Sequence, residues 1–409
     1  MGNAYIIDAV RTPRGKGKQT GSLAKVHPHQ LLGTCLKALK ERNDFDPRDV
    51  EDLVAGCVTP VAEQGGVISR FAVLDAGWPT EITGVQLNRY CGSGQQAVNF
   101  ALMGAASGFQ DLVIGGGVEQ MSRLPMGADK SGLDAHNRHL REQHPLTPQG
   151  ISADLIASRE GFTREQCDEF ALRSQQNCKR AMAEGRFDKS IVPVRDYDGE
   201  LALDRDEFPR PETTLEGLGR LEPSFAAMGP YVQKGDTLSF DEKARKVYPE
   251  VAEVRHVHTA GNSSGIVDGA SAVLIASEKY VKERGLKPRA RVLSMATIGD
   301  EPVIMLTAPA PASDRALKKA GMTYKDIDLF EVNEAFAAVV LKFLRESEVD
   351  PDLVNVNGGA IALGHPLGAT GGMLIGTALD ELERTDKNTA LITMCIGGGM
   401  GIATIIERC

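Results

Sequence analysis

The chain has 409 residues, 42% hydrophobic and 25% charged, which describes a globular protein too long for one ordinary core, so two or three domains are expected. A net charge of −9 argues against nucleic acid as the main partner, because phosphate binding needs a basic surface, and leaves room only for a local basic patch facing one anionic molecule. Seven cysteines, with no C-x-x-C pair and no zinc spacing, fit reduced thiols in a cytoplasmic protein, and no stretch is long and apolar enough to span a bilayer.

From the N-terminus, the short apolar run Ala4-Tyr5-Ile6-Ile7-Asp8-Ala9-Val10 has no basic residue before it and reads as a first strand, not a signal segment. Gly2 invites a myristoylation reading, but Ile6 stands where a small hydroxyl residue is required. Leu36 to Lys40 then leads to Pro47 to Val54 as helix, turn and strand. An apolar run from Val85 to Leu87 stops at Asn88-Arg89-Tyr90-Cys91-Gly92-Ser93-Gly94, and helical spacing begins at Ala97. That places the Cys91 thiol at a helix N-terminus, where unpaired N–H groups and the helix dipole favour a thiolate. The small residues after it leave space for a substrate, so Cys91 reads as a displayed nucleophile, against the alternative of an inert buried thiol. Leu112-Val113-Ile114 follows as an apolar strand running into Gly115-Gly116-Gly117.

Residues 120–255 are more polar and rich in Pro, Asp, Arg and Glu, with one convincing helix from Thr163 to Glu184 opened by the capping box Thr163-Arg164-Glu165-Gln166. They read as an inserted loop domain covering a site; a functionless surface insertion is the alternative. The run Asp241 to Lys246 reads as a solvated face, with Lys243, Arg245 or Lys246 meeting phosphates as the other reading. A strand is expected at Val251 to Val257. It precedes Gly261-Asn262-Ser263-Ser264-Gly265, which formally fits the G-x-S-x-G pattern of serine hydrolases. In a chain with 44 glycines a chance match is unsurprising, and a Ser263 nucleophile would leave the reactive residues elsewhere without roles.

Residues 313–406 then repeat the plan of residues 31–120. Arg315 to Lys319 leads to Tyr324 to Phe330, as helix, turn and strand. A strand and glycine-rich turn into a helix recur from Val354 to Leu374, placing His365 where the first half has Cys91. Met394-Cys395-Ile396 again runs into three glycines, Gly397-Gly398-Gly399. Alternating strands and helices imply mostly parallel sheets, and two similar halves imply two such layers back to back with sites at their seam. The division is residues 1–119 plus 256–287 for the first half, 120–255 for the insert and 288–409 for the second half.

Four segments outside the insert set reactive residues in sharply turning backbone: Cys91, Asn333 in Glu331-Val332-Asn333-Glu334-Ala335-Phe336, His365 in Gly364-His365-Pro366-Leu367-Gly368, and Cys395. A thiolate nucleophile needs a base, the base an orienting neighbour, and an acyl-transfer intermediate needs N–H donors at its oxygen. A second thiol suits a reaction that also moves a proton on and off carbon.

These segments resemble the signatures of the thiolase family, in family order: Cys91-Gly92-Ser93-Gly94, Asn333-Glu334-Ala335-Phe336, Gly364-His365-Pro366-Leu367-Gly368 and Cys395-Ile396-Gly397-Gly398-Gly399-Met400-Gly401. So do Asp8-Ala9-Val10-Arg11-Thr12-Pro13 and Thr259-Ala260-Gly261-Asn262-Ser263-Ser264-Gly265. The resemblance covers nearly the whole chain. It implies an α/β fold, duplicated and five-layered α/β/α/β/α with an inserted loop domain, and a homodimer or homotetramer.

It also implies that Cys91 carries the acyl group as a thioester and that His365 takes its proton and later activates coenzyme A. Cys395 would exchange the proton at carbon. Asn333, through an ordered water, would join His365 in one oxyanion hole, and the N–H groups of Cys91 and Gly397 would form the other. Ser264 would contact the pantetheine arm, with Arg220 and Ser224 as further candidates for binding coenzyme A. Coenzyme A and acyl-CoA are substrates, and no permanently bound cofactor or metal is implied.

Many short-chain thiolases carry His-Met-Gly where this chain has Pro148-Gln149-Gly150, which leans the expectation toward degradative thiolysis of 3-ketoacyl-CoA with a broad or medium-chain preference. Condensation of two acetyl-CoA molecules by an acetoacetyl-CoA thiolase is the alternative. Remoter ones are a serine hydrolase and a thiolase-like acyl-CoA-binding protein without turnover.

Overall fold

The computed structural model describes residues 2–409. One long sheet crosses the molecule in the order Leu329–Val332, Thr389–Ile396, Met400–Arg408, Ala290–Gly299, Ala4–Arg11, Val267–Ser277, Leu112–Gln120, Asp52–Gly56 and Thr83–Leu87. The order exposes the duplication. Asp52–Gly56, Leu112–Gln120, Val267–Ser277 and Ala4–Arg11 run inward in one half as Leu329–Val332, Thr389–Ile396, Met400–Arg408 and Ala290–Gly299 do in the other, and the halves join where Ala4–Arg11 pairs antiparallel with Ala290–Gly299 through only Tyr5 with Arg291 and Ile6 with Ala290. Val354 takes the place of the first half's edge strand, but as a single bridge to Phe330 and not the expected strand.

Helix Ser93–Ser107 and helix Leu367–Thr385 lie between the two halves of the sheet, each touching strands of both. Helices Pro28–Arg42 and Ile68–Asp75 cover the first half, and Pro309–Ala320 and Ala337–Ser347 the second, so the five layers run α/β/α/β/α. Helix Leu367–Thr385 is buried at every position from Leu367 to Leu382, as a helix covered on all sides must be. The separation of the two inner helices is set by glycine. A Cβ on Gly94 would sit 2.4 Å from the Gly368 carbonyl oxygen, and one on Gly371 2.0 Å from the Gln95 nitrogen.

The sheet is mixed, where mostly parallel strands were expected. Parallel pairing is confined to the outer strands of each half, because Val267–Ser277 returns antiparallel to Leu112–Gln120 and Met400–Arg408 folds back directly on Thr389–Ile396. The two glycine triplets also differ. Gly115 to Gly117 lie inside a strand, where a Cβ on Gly117 would meet the Gly368 oxygen at 2.0 Å. Gly397 to Gly399 form the turn between the last two strands, with positive φ at Gly398 and Gly399.

The chain leaves the sheet after Gln120 and re-enters it at Val267. Between them, helix Arg164–Ala183 starts at the Thr163–Gln166 capping box, and helix Gln149–Glu160 packs on helix Ala337–Ser347. Residues 251–257 form no strand: the Asp154 carboxylate, accepting from the N–H groups of Val257 and His258, takes the donors a neighbouring strand would use. The charged run after Ser239 is helix Phe240–Val247. Lys243 on it is buried and paired with Asp236, so it is not part of a solvated face. Among the described residues, no helix is long and apolar enough to cross a membrane.

Candidate active site

Cys91 sits one residue before Gly92, the N-cap of helix Ser93–Ser107, on a turn forced by positive φ at Tyr90. Ser93 ties that turn together, accepting from the Arg89 N–H at 2.8 Å and donating to the Tyr90 carbonyl at 2.6 Å. His365 immediately precedes helix Leu367–Thr385. Because glycines bring the starts of the two inner helices into contact, the duplication places a thiol and an imidazole at adjoining helix N-termini.

The imidazole is fixed at both nitrogens. Nδ1 lies 2.6 Å from Thr370 Oγ1, and Nε2 lies 3.3 Å from Asn333 Nδ2. Thr370 donates its one hydroxyl proton to the Pro366 carbonyl at 3.0 Å, so its oxygen accepts from Nδ1–H. This network assigns the proton to Nδ1 and a lone pair to Nε2, which accepts from the Asn333 amide. Burial, reinforced by the Arg14 cation, lowers the His365 pKa to about 3, so the ring is neutral at pH 7.

Asn333 reaches this place because strand Leu329–Val332 ends there and the backbone turns before helix Ala337–Ser347. Its N–H donates to the Thr393 carbonyl at 3.0 Å. Thr393 lies in the strand that carries Cys395, which is fully buried. Burial and the neighbouring Cys91 push the Cys395 thiol well above its ordinary range.

Cys91 likewise departs from the thiolate expected at a helix start. Burial raises its pKa to about 11, only partly offset by the N–H groups of Cys91 and Gly397 and by the Gln149 amide, all of which reach the sulfur. The Gly397 N–H is therefore at the Cys91 sulfur. A methyl there would come within 3.3 Å of Gln149 Nε2 and Tyr90 Cγ.

Ser264 threads between these parts. Its N–H donates to the Ala335 carbonyl at 2.9 Å, while the neighbouring Gly265 accepts from the His365 N–H at 2.9 Å. Just upstream, Ala260 and Gly261 line an open cleft of about 190 Å³ with Phe208, Arg210, Thr214 and Leu218. The other two binding candidates lie on the surface: Arg220 is exposed and paired with Glu216, and Ser224 uses its N–H on the His258 carbonyl. Ser263 has no base. Its buried hydroxyl has no partner among the described residues, and neither a strand before it nor a helix after it forms the sharp elbow of a serine hydrolase.

Several site residues gave no sequence signal of their own. Glu119, fully buried, accepts from the N–H groups of Val58, Thr59 and Gly368 at 2.9, 3.1 and 2.9 Å and from the Gln64 amide, so one carboxylate fastens the His365 helix to the first half. The one available sign was a charge inside an apolar strand. Thr370 and Arg210 carried none, and Gln149 was visible only as the departure at Pro148-Gln149-Gly150.

Family models described as thiolase N-terminal domain and thiolase C-terminal domain match residues 4–240 and 286–408. A steroid 3-ketoacyl-CoA thiolase of Mycobacterium tuberculosis is 41% identical, over 100% of this chain and 95% of its own. A 3-ketoacyl-CoA thiolase of Aliivibrio fischeri is 40% identical over the full length of both. Among solved structures, the Bacillus anthracis acetyl-CoA acetyltransferase superposes with a TM-score of 0.84 at 32% identity, covering 100% of this chain and 99% of that one. Human mitochondrial 3-ketoacyl-CoA thiolase gives 0.83 at 33%, with the same coverage.

Proposed function

This chain belongs to the thiolase family and is an acyltransferase of that family, and on that footing we propose that it works as a degradative 3-ketoacyl-CoA thiolase with Cys91 as nucleophile. The observation that carries the reading is the pairing of the two thiols, Cys91 beside Cys395, at the seam where the Cys91 helix meets the helix that the doubly held His365 imidazole precedes.

In the proposed cycle, His365 Nε2 takes the Cys91 proton and the thiolate adds to the 3-keto carbon. The addition oxyanion sits among preorganised donors, with the Cys91 and Gly397 N–H groups positioned for it. The C2–C3 bond then breaks. Its electron pair leaves as the acetyl-CoA enolate, which takes a proton from Cys395, while the shortened acyl group stays on Cys91 as a thioester. His365 passes the proton it took from Cys91 to the Cys395 thiolate, then accepts the proton of an incoming coenzyme A thiol, which attacks the thioester; His365 returns that proton to the departing Cys91 sulfur as the acyl-CoA leaves. A high thiol pKa suits this site, because Cys91 stays protonated and unreactive until the substrate carbonyl and the base are both in place.

The cleft beside Ala260 and Gly261 is our choice for the pantetheine arm past Ser264. Arg210, on its wall and stacked over Phe208, has no carboxylate partner among the described residues and is a better phosphate ligand than the paired Arg220. Oligomer assembly is proposed at the first-half sheet edge, where Thr83–Leu87 has one unpaired side and Phe71, Leu74, Val85, Phe100 and Met103 nearby are exposed. A cytoplasmic site fits seven free cysteines, six of them buried.

Initial rates of coenzyme A-dependent cleavage across a ladder of 3-ketoacyl-CoA lengths, with Cys91→Ala as blank, test the reading. Faster turnover of chains longer than acetoacetyl-CoA supports it. Activity confined to acetoacetyl-CoA would instead make the protein an acetoacetyl-CoA thiolase.

A further inference from the structure

Next to the Asn333–His365 pair lies a small enclosed cavity walled by Arg14, Glu331, Asn333, Gly359, Thr370 and Thr377. Neither Cys91, His365 nor Cys395 lines it, so it is separate from the space in which the substrate reacts. The volume open to a water-sized centre is about 10 Å³, roughly what one water needs.

Three side chains around this cavity have unmet hydrogen-bonding capacity. Arg14 is buried, and its Nε and Nη1 have no partner among the described residues. The reason is local. The nearest carboxylate, Asp206, is engaged by both Nη1 and Nη2 of Arg11 at 2.8 Å, leaving the Arg14 guanidinium 4.0 Å away. Glu331 Oε1 and Asn333 Oδ1 are likewise buried without partners. Two donors on one wall and two acceptors on the others match the four hydrogen bonds of a single water, and buried polar groups in native proteins are normally satisfied in this way.

We propose that this cavity binds a structural water that bridges Arg14 and Glu331 to Asn333, making Arg14 and Glu331 positioning residues for the Asn333–His365 pair. The water accepts from Arg14 and donates to Glu331 Oε1 and Asn333 Oδ1. An amide held at its oxygen cannot flip, so Nδ2 stays directed at His365 Nε2. The charged group acting on His365 is Arg14, with neutral Thr370 and Asn333 at its two nitrogens. Glu331 faces Glu334, Glu381 and Arg14, and its burial with the two carboxylates pushes its pKa well above the ordinary carboxylate range.

The inference rests on the thiolase reading, and its test separates the two. A crystal structure of the protein is expected to show one ordered water within hydrogen-bond reach of Arg14, Glu331 and Asn333; a dry cavity overturns the proposal whatever the enzyme's substrate. In thiolysis assays, Glu331→Gln, which keeps an acceptor oxygen for the water, should stay within about twofold of wild type. Glu331→Leu should lose about tenfold in kcat with KM unchanged, the size expected when a catalytic base is misdirected and not removed. Arg14→Met removes a cation near the imidazole and should move the acid limb of kcat/KM up by about one pH unit. Equal kcat and identical pH profiles for folded Glu331→Leu and Arg14→Met would overturn it. Absence of Cys91-dependent cleavage in wild type would instead sink the thiolase reading, and the crystallographic result would still decide the water.

Discussion

His365 and Thr370 fix the imidazole tautomer: Nδ1 approaches the threonine hydroxyl at 2.6 Å, and that hydroxyl has already given its proton to the Pro366 carbonyl. Because Thr370 lies in the first turns of the helix that His365 precedes, the base and its orienting group are set by one short segment. Thr370→Val keeps the shape and removes the acceptor. We predict a loss of about tenfold or more in kcat with KM for 3-ketoacyl-CoA little changed, a share of the factor a positioned base supplies, and recovery in Thr370→Ser. Steady-state kinetics of the two variants check this.

The raised pKa of Cys91 predicts its reactivity in the absence of substrate. With the value at about 11, the thiol is protonated at neutral pH and the thiolate fraction grows tenfold per pH unit up to that value. Iodoacetamide inactivation should therefore accelerate continuously between pH 7 and 10, without the plateau of a low-pKa thiolate. Gln149→Met removes one donor to the sulfur and should slow inactivation further at each pH.

Glu119 predicts a coupling between stability and activity. Glu119→Leu strands the N–H groups of Val58, Thr59 and Gly368 in the interior. At roughly 1–3 kcal/mol per buried unsatisfied group, a destabilisation of about 3 kcal/mol or more follows. Denaturant titration measures the loss, and kcat should fall as well because Gly368 starts the helix behind His365.

How far the site could be read from sequence follows what each residue depends on. Cys91, Asn333, His365 and Cys395 stand at sharp turns between regular elements, where local glycine and proline chemistry announces them. The duplication was visible for the same reason, since Leu36 to Val54 and Arg315 to Phe330 keep one helix-turn-strand order. Glu119 acts across the seam, through a partner 249 positions away at Gly368, and no local pattern encodes that. The raised Cys91 pKa escapes the sequence because helix-end electrostatics is a local signal, whereas burial by both halves is not. Sheet direction failed likewise: strand Val267–Ser277 pairs across the whole insert with Leu112–Gln120.

The insert carries its own pH dependence. His256 contacts Asp154 at 2.8 Å and Asp241 at 3.2 Å, and these carboxylates raise its pKa from 6.5 to about 9. A histidine whose folded value is raised contributes stability that is full below its unfolded pKa and is lost as pH climbs through the folded one. Thermal stability should therefore decline from about pH 6.5 to 9, and His256→Asn should flatten that decline.

The division of labour between the two thiols is tested most directly by exposing Cys395→Ala to acetyl-CoA and to a 3-ketoacyl-CoA plus coenzyme A, reading peptide mass in the first case and product in the second. The account predicts one acetyl group on the peptide carrying Cys91 and no C–C cleavage. Normal cleavage by that variant, or an acetyl group on a residue other than Cys91, would contradict it.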